Sequence, residues 1–242
     1  MAMRQFSQPF RRQSHYESNV WPELSIVYDE ERIVAECGGK PLHSLSSAVY
    51  GGGFQSVKRI INWKVPLHYD CSDPIGDFRA MLADCGYEPD SAVGFLTAAK
   101  LTHAAFREES GDRFAIVCMS TAGIGNAARS GVARPSFAAY KPGTINTFVL
   151  IDGDMTPSAM VNAVITATEA KSAALQDLDV TDTLNGLPAT GTTTDAVTVA
   201  VSQSGRYGVR HDYAGTATTI GNAIGRLVYD TVYGAVITRD EL

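Results

Sequence analysis

The chain has 242 residues, 45% hydrophobic and 19% charged, with a formal charge of -6. That is apolar material enough for one full core, and the negative balance gives no general attraction for nucleic acid or an anionic membrane surface. No basic stripe with interleaved aromatics appears, and no apolar run is long enough for a membrane anchor, so neither partner is expected.

Residues 1–14 carry Arg4, Arg11 and Arg12 without a continuous apolar segment. Residues 1–19 are therefore expected to form a mobile or loosely docked arm, and residues 20–242 a single domain. Cys37, Cys71, Cys85 and Cys118 show no CxxC spacing and no companion histidines, so reduced thiols in a cytoplasmic protein are expected, with no metal held by the protein. The terminal Arg239-Asp-Glu-Leu242 has the form of a retention tail, but without a secretory signal it is given no weight.

In chain order, Leu24-Ser-Ile-Val-Tyr28 and Arg32-Ile-Val-Ala-Glu36 predict a hairpin. A strand at residues 45–50 leads to Gly51-Gly-Gly53, and one further strand is expected over residues 54–65. Three glycines either make a wide turn or let a large flat ligand approach the backbone. Asp73-Pro74 predicts a helix start, and Phe78, Met81, Leu82 and Cys85 its buried stripe before Gly86. Strands over residues 91–97 and 113–119 suggest an antiparallel meander. The loop Ser120-Thr-Ala-Gly-Ile-Gly-Asn126 lacks the third glycine and the distal acid of a dinucleotide fingerprint, and residues 129–141 predict a surface loop able to fold over a ligand.

The segment over residues 141–201 reads as the site-bearing one: a strand, a helix capped by Thr156 with Pro157 behind it, then a Gly/Thr turn and a second strand. Along the helix, residues 156–178, Met160, Val164, Ala167, Ala174 and Leu178 share one face with Lys171. That lysine either snorkels to water or is a partly desolvated ammonium with a carboxylate partner. Asn162, Thr166 and Glu169 occupy the other side, so Glu169 and Lys171 stand about 200° apart at about 100° per residue. Thr121-Ala-Gly-Ile-Gly-Asn-Ala127 and Thr190-Gly-Thr-Thr-Thr-Asp-Ala196 share a pattern, which suggests two similar loops converging on one site. A last helix is expected over residues 216–237. The fold class predicted is α+β, a single domain with a mixed, largely antiparallel sheet layered with helices.

Six ordered blocks carry a resemblance: Ser46-Ser-Ala-Val-Tyr-Gly-Gly-Gly53, Val93-Gly-Phe-Leu-Thr-Ala-Ala99, Pro142-Gly-Thr-Ile-Asn146, Thr168-Glu-Ala-Lys171, Ala189-Thr-Gly-Thr-Thr-Thr-Asp-Ala196 and Tyr213-Ala-Gly-Thr216. Together they resemble the adenosylcobinamide amidohydrolase family. The resemblance implies a cytoplasmic hydrolase of cobinamide salvage, in cobalamin biosynthesis, that cuts the amide between a corrin propionate and aminopropanol. A corrinoid substrate is implied, its cobalt its own, with no cofactor and a possible homo-oligomer; a non-catalytic corrinoid-binding protein is the alternative. Ser46, Ser47, Gly52, Gly53, Asn62, Thr97, Asn126, Thr144, Asn146, Thr190, Gly191 and Thr192 are the expected substrate lining, because a broad ring with amides on its rim suits glycine backbone and short hydrogen-bonding side chains.

Neither a GxSxG elbow nor an HExxH helix is present, and the five histidines are scattered. The catalytic candidates are therefore Glu169, Asp195 and Lys171. Glu169 or Asp195 would activate water, while Lys171, Asn126 or Asn146 would stabilise developing charge. Two variants stay open: Thr168 as a lysine-activated nucleophile, and self-cleavage before Thr144 to give an N-terminal threonine.

Overall fold

The computed structural model describes residues 6–134 and 143–241. Lys141 and Pro142, the rest of the loop from residue 135, the first five residues and Leu242 lie outside it.

Two sheets stack face to face between helices. The first has five strands in the order β1 (His15–Glu17), β2 (Leu24–Tyr28), β3 (Arg32–Cys37), β6 (Arg59–Lys64), β7 (Ala92–Thr97). The second has six, in the order β5 (Gly53–Val57), β4 (Leu42–Ser46), β14 (Ala196–Val201), β11 (Ile145–Asp152), β9 (Ala115–Ala122), β8 (Ala105–Ser110). Ile26, Ile33, Ile60 and Phe95 of the first sheet meet Phe106, Val117, Phe148 and Leu150 of the second in one core. Helix α1 (Pro74–Asp84) covers the outer face of the five-stranded sheet through Phe78, Met81 and Leu82. Helices α2 (Pro157–Asp177) and α3 (Thr219–Thr238) cover the outer face of the other, burying Met160, Ala167, Ile220, Ile224 and Leu227 on Val149, Ile151 and Val199. The α+β class holds, as four layers with two sheets in place of one.

Covering on both faces explains the eight-residue β11, buried at every position. An interior strand flanked by two layers reads as a continuous apolar run. α2 is the crossover that brings β14 parallel to β11, pairing Asn146 with Ala196 through Ile151 with Val201. The Thr156 hydroxyl accepts from Ala159 N at 3.1 Å, and Pro157 follows, as the sequence predicts. Thr166, expected on the solvated side, is buried and donates to Ala214 O at 2.8 Å.

Several expectations change. The single strand over residues 54–65 is two strands in different sheets: β5 is an exposed edge and β6 an interior strand, divided at Lys58, whose amide bonds Ser91 O. β4 ends at Ser46, ahead of the predicted strand's end. The first-half meander fails because β6 and β7 are parallel, joined through α1, while β7 and β9 belong to different sheets. From Phe6 onward the expected arm is packed. Ser7 bridges Phe106, the Phe10 ring lies 5.3 Å from that of Phe106, and β1 pairs with β2. Among the described residues, no helix is long and apolar enough to cross a membrane.

Candidate functional site

The parallel strands β11 and β14 start at the same end of the sandwich, which brings the residues that precede them together. Asp195, just ahead of β14, is the centre. Its Oδ1 accepts from Ile145 N at 3.0 Å and from the Thr192 hydroxyl; its Oδ2 accepts from Thr192 N at 3.0 Å and from Lys171 Nζ. Lys171 and Asp195 are 15% and 13% exposed, so the pair is largely withdrawn from water. Lys171 is thus the desolvated ammonium with a carboxylate partner rather than the snorkelling alternative.

Gly191 is needed for this packing. A Cβ there would stand 2.4 Å from Asp195 Oδ2 and 2.7 Å from Lys171 Nζ.

The two similar loops do meet. β10 (Ala127–Ala128) pairs antiparallel with β13 (Gly191–Thr192), and Asn126 Nδ2 donates to the Thr193 hydroxyl at 2.6 Å. Among the described residues Asn126 Oδ1 is buried with no hydrogen-bond partner, an uncommon state for a buried amide. Thr190 bonds Ser130 N through its hydroxyl and Ser172 through its carbonyl, tying α2 to the same turn.

Thr144, one residue before β11, shares a hydrogen bond of 2.6 Å with the Thr194 hydroxyl, which also donates to Gly143 O at 2.7 Å. Behind it, Asn146 Nδ2 donates to Asn62 Oδ1 at 2.8 Å and to Leu96 O at 3.0 Å, while Asn62 Nδ2 donates to the Thr121 hydroxyl at 2.9 Å. Asn62 and Asn146 are buried and bonded to each other, so they fasten the two sheets beneath the site.

The remaining lining residues are placed nearby with local duties. Ser46 donates to Val197 O at 3.2 Å, and the Ser47 hydroxyl accepts from Val197 N at 3.0 Å, so both finish the pairing of β4 with the start of β14. The Thr97 hydroxyl accepts from Ala99 N at 3.1 Å. Gly52 is confined by Ala48 O, 2.6 Å from an added Cβ, and Gly53 has φ +89. The glycine run carries the chain into β5. Glu169 is exposed and has no hydrogen-bond or ion-pair partner among the described residues. The structure joins Asp195 to Lys171 and leaves Glu169 outside.

Sequence reasoning did not single out Thr193 and Thr194, although the run of three threonines was its signal. It also passed over a groove of about 560 Å³ floored by Ala98, Ala99, Ala122, Gly123 and Gly125, with Lys64 at its edge. The groove adjoins the cluster, since Gly123 N donates to Thr144 O at 2.9 Å. His103, on its wall, is held below the ordinary imidazole value by burial and by Arg11 and Lys100. Among the described residues, no group of three or more His, Cys, Asp or Glu is placed to hold a metal ion.

Fold and site together define a four-layer α+β protein whose hydroxyl-rich mouth is built around a shielded lysine–aspartate pair. The chain belongs to the adenosylcobinamide amidohydrolase family, whose model matches residues 22–242. It is 30% identical over 196 residues to an adenosylcobinamide amidohydrolase of Methanosarcina mazei, covering 78% of this chain and 88% of that protein. It is also 30% identical over 212 residues to an uncharacterized protein of Methanocaldococcus jannaschii, covering 78% of this chain and 81% of that one. Among solved structures, a Pyrococcus horikoshii protein superposes with a TM-score of 0.44 at 8% identity, over 86% of this chain and 78% of that one.

Proposed function

We propose that this protein hydrolyses the aminopropanol amide of adenosylcobinamide, giving adenosylcobyric acid and 1-amino-2-propanol, as a step of cobinamide salvage in the cytoplasm. Family membership supplies the reaction, and the shielded Lys171–Asp195 pair beside Thr192 and Thr144 is the observation that carries the site. Amide hydrolysis builds negative charge on the carbonyl oxygen, and an ammonium fixed in a poorly hydrated pocket stabilises that charge with little reorganisation. Asp195 fixes the ammonium.

With four donors on its two oxygens, Asp195 has no lone pair left to take a proton from water, so it acts by position and charge. The small-residue groove beside Thr144 offers the broad face that a corrin needs, and the cobalt arrives as part of that substrate.

The test is direct. Purified protein incubated with adenosylcobinamide is expected to release 1-amino-2-propanol, and a Lys171→Met variant to lose most of that release. Spectral evidence of corrinoid binding without aminopropanol release would replace the hydrolase reading with a binding protein.

A further inference from the structure

We propose that the Gly143–Thr144 peptide bond is a self-cleavage site, and that Thr144, once it becomes an N-terminal residue, is the nucleophile of the reaction. Three features of the junction carry this. Thr194 donates its hydroxyl proton to Gly143 O at 2.7 Å, so it can only accept at its 2.6 Å contact with Thr144. A hydroxyl has one proton to give. The Thr144 hydroxyl is therefore the donor, and a relay runs from Thr144 through Thr194 to the carbonyl oxygen of the bond immediately before Thr144. Second, Gly143 admits no side chain, since a Cβ would fall 2.1 Å from Asn126 Oδ1 and 2.9 Å from Asn126 N. Third, that same Asn126 Oδ1 is buried and lacks a donor among the described residues.

The step balances without any added reagent but water. Thr144 Oγ bonds to the Gly143 carbonyl carbon, closing a five-membered ring, while its proton passes to Thr194 and the Thr194 proton to Gly143 O. Collapse restores the carbonyl, breaks the C–N bond and returns the proton to the Thr144 nitrogen, leaving Gly143 as an ester on Thr144 Oγ. Water hydrolyses that ester to a Gly143 carboxylate and a free threonine.

The use of the product rests on the proposed hydrolase reading. An N-terminal threonine holds nucleophile and base in one residue, because its own amine takes the hydroxyl proton. Attack on the substrate amide would give an ester of the corrin propionate and expel aminopropanol, which leaves with the proton the amine had taken. Water then frees the acid, and Lys171 lies behind the turn that holds Thr194.

Denaturing mass spectrometry of the purified full chain, with no substrate present, tests the cleavage. Two chains are expected, together heavier than the precursor by one water, the second beginning at Thr144 on N-terminal sequencing. Thr144→Ala is expected to remain a single chain, Thr144→Ser to divide, and Thr194→Val to divide at least tenfold more slowly. A single chain in the wild-type protein, division at another bond, or division of Thr144→Ala would overturn the proposal. Because this readout involves no corrinoid, it stands or falls separately from the assay of aminopropanol release.

Discussion

Asp195 is held by the backbone amides of Ile145 and Thr192, the hydroxyl of Thr192 and the ammonium of Lys171, four donors drawn from three parts of the chain. Removing one of them leaves a shielded charge short of a partner, which costs about 1–3 kcal/mol. Lys171→Met is expected to lower turnover by about 100-fold or more, as loss of a donor to a developing oxyanion does, with the denaturation midpoint reporting the smaller stability cost. Gly191→Ala drives a methyl into the same pair and is expected to lower both turnover and stability. Glu169→Gln should leave turnover within about twofold of wild type, since Glu169 is exposed and has no partner among the described residues; a tenfold fall in a folded variant would return it to the mechanism. Lys171 among apolar neighbours was legible as an unusual lysine. Its partner, 24 positions later, was one of several carboxylates until the fold chose it.

At the scale of elements, the resemblance of two short loops reports a real pairing, because β10 and β13 lie side by side. At the two matched positions of the loops, Asn126 takes Thr193 and Asp195 turns inward to Lys171. On the far side, the segment before β2 is fastened by Glu108 of β8, which accepts from Tyr16 and Ser18 at 2.7 Å and from Asn19 Nδ2 at 2.7 Å. Burial of Glu108 opposes its charge, but the donors from Ser18, Asn19 and Tyr16 outweigh it and hold the carboxyl below its ordinary value. A depressed carboxyl contributes stability above the unfolded value near about 4.3, and that contribution disappears as pH falls through the folded value. Protection of the amides of residues 15–19, relative to their intrinsic exchange rate at each pH, is therefore expected to fall below about pH 4. Glu108→Gln should show weaker protection at neutral pH and little dependence on acid.

For the whole molecule, the two sheets are joined by apolar packing and, beneath the site, by the buried polar stitch Thr121–Asn62–Asn146. Asn62→Ala strands the amide of Asn146 and opens a small void, so a loss of about 2–4 kcal/mol is expected, read from the denaturant midpoint. Asn62→Asp, close to isosteric, keeps the acceptor for Asn146 but brings no donor to Thr121 and buries a charge; it is expected to destabilise comparably at neutral pH and less in acid.

The sequence alone determined what depends on local chemistry: the Asp73 and Thr156 caps, the buried stripes of the helices, the continuous apolar run of β11 and the six ordered blocks that mark the family. These are encoded within a turn or a strand. Only tertiary structure decided that residues 54–65 divide between two sheets and that Asn62 and Asn146 fasten layers. It also decided that Thr194 and Gly143 meet at Thr144. The division follows from range: hydrogen-bond partners more than about a turn apart are chosen by how layers stack, and alternation along one strand says which face is buried, never against what.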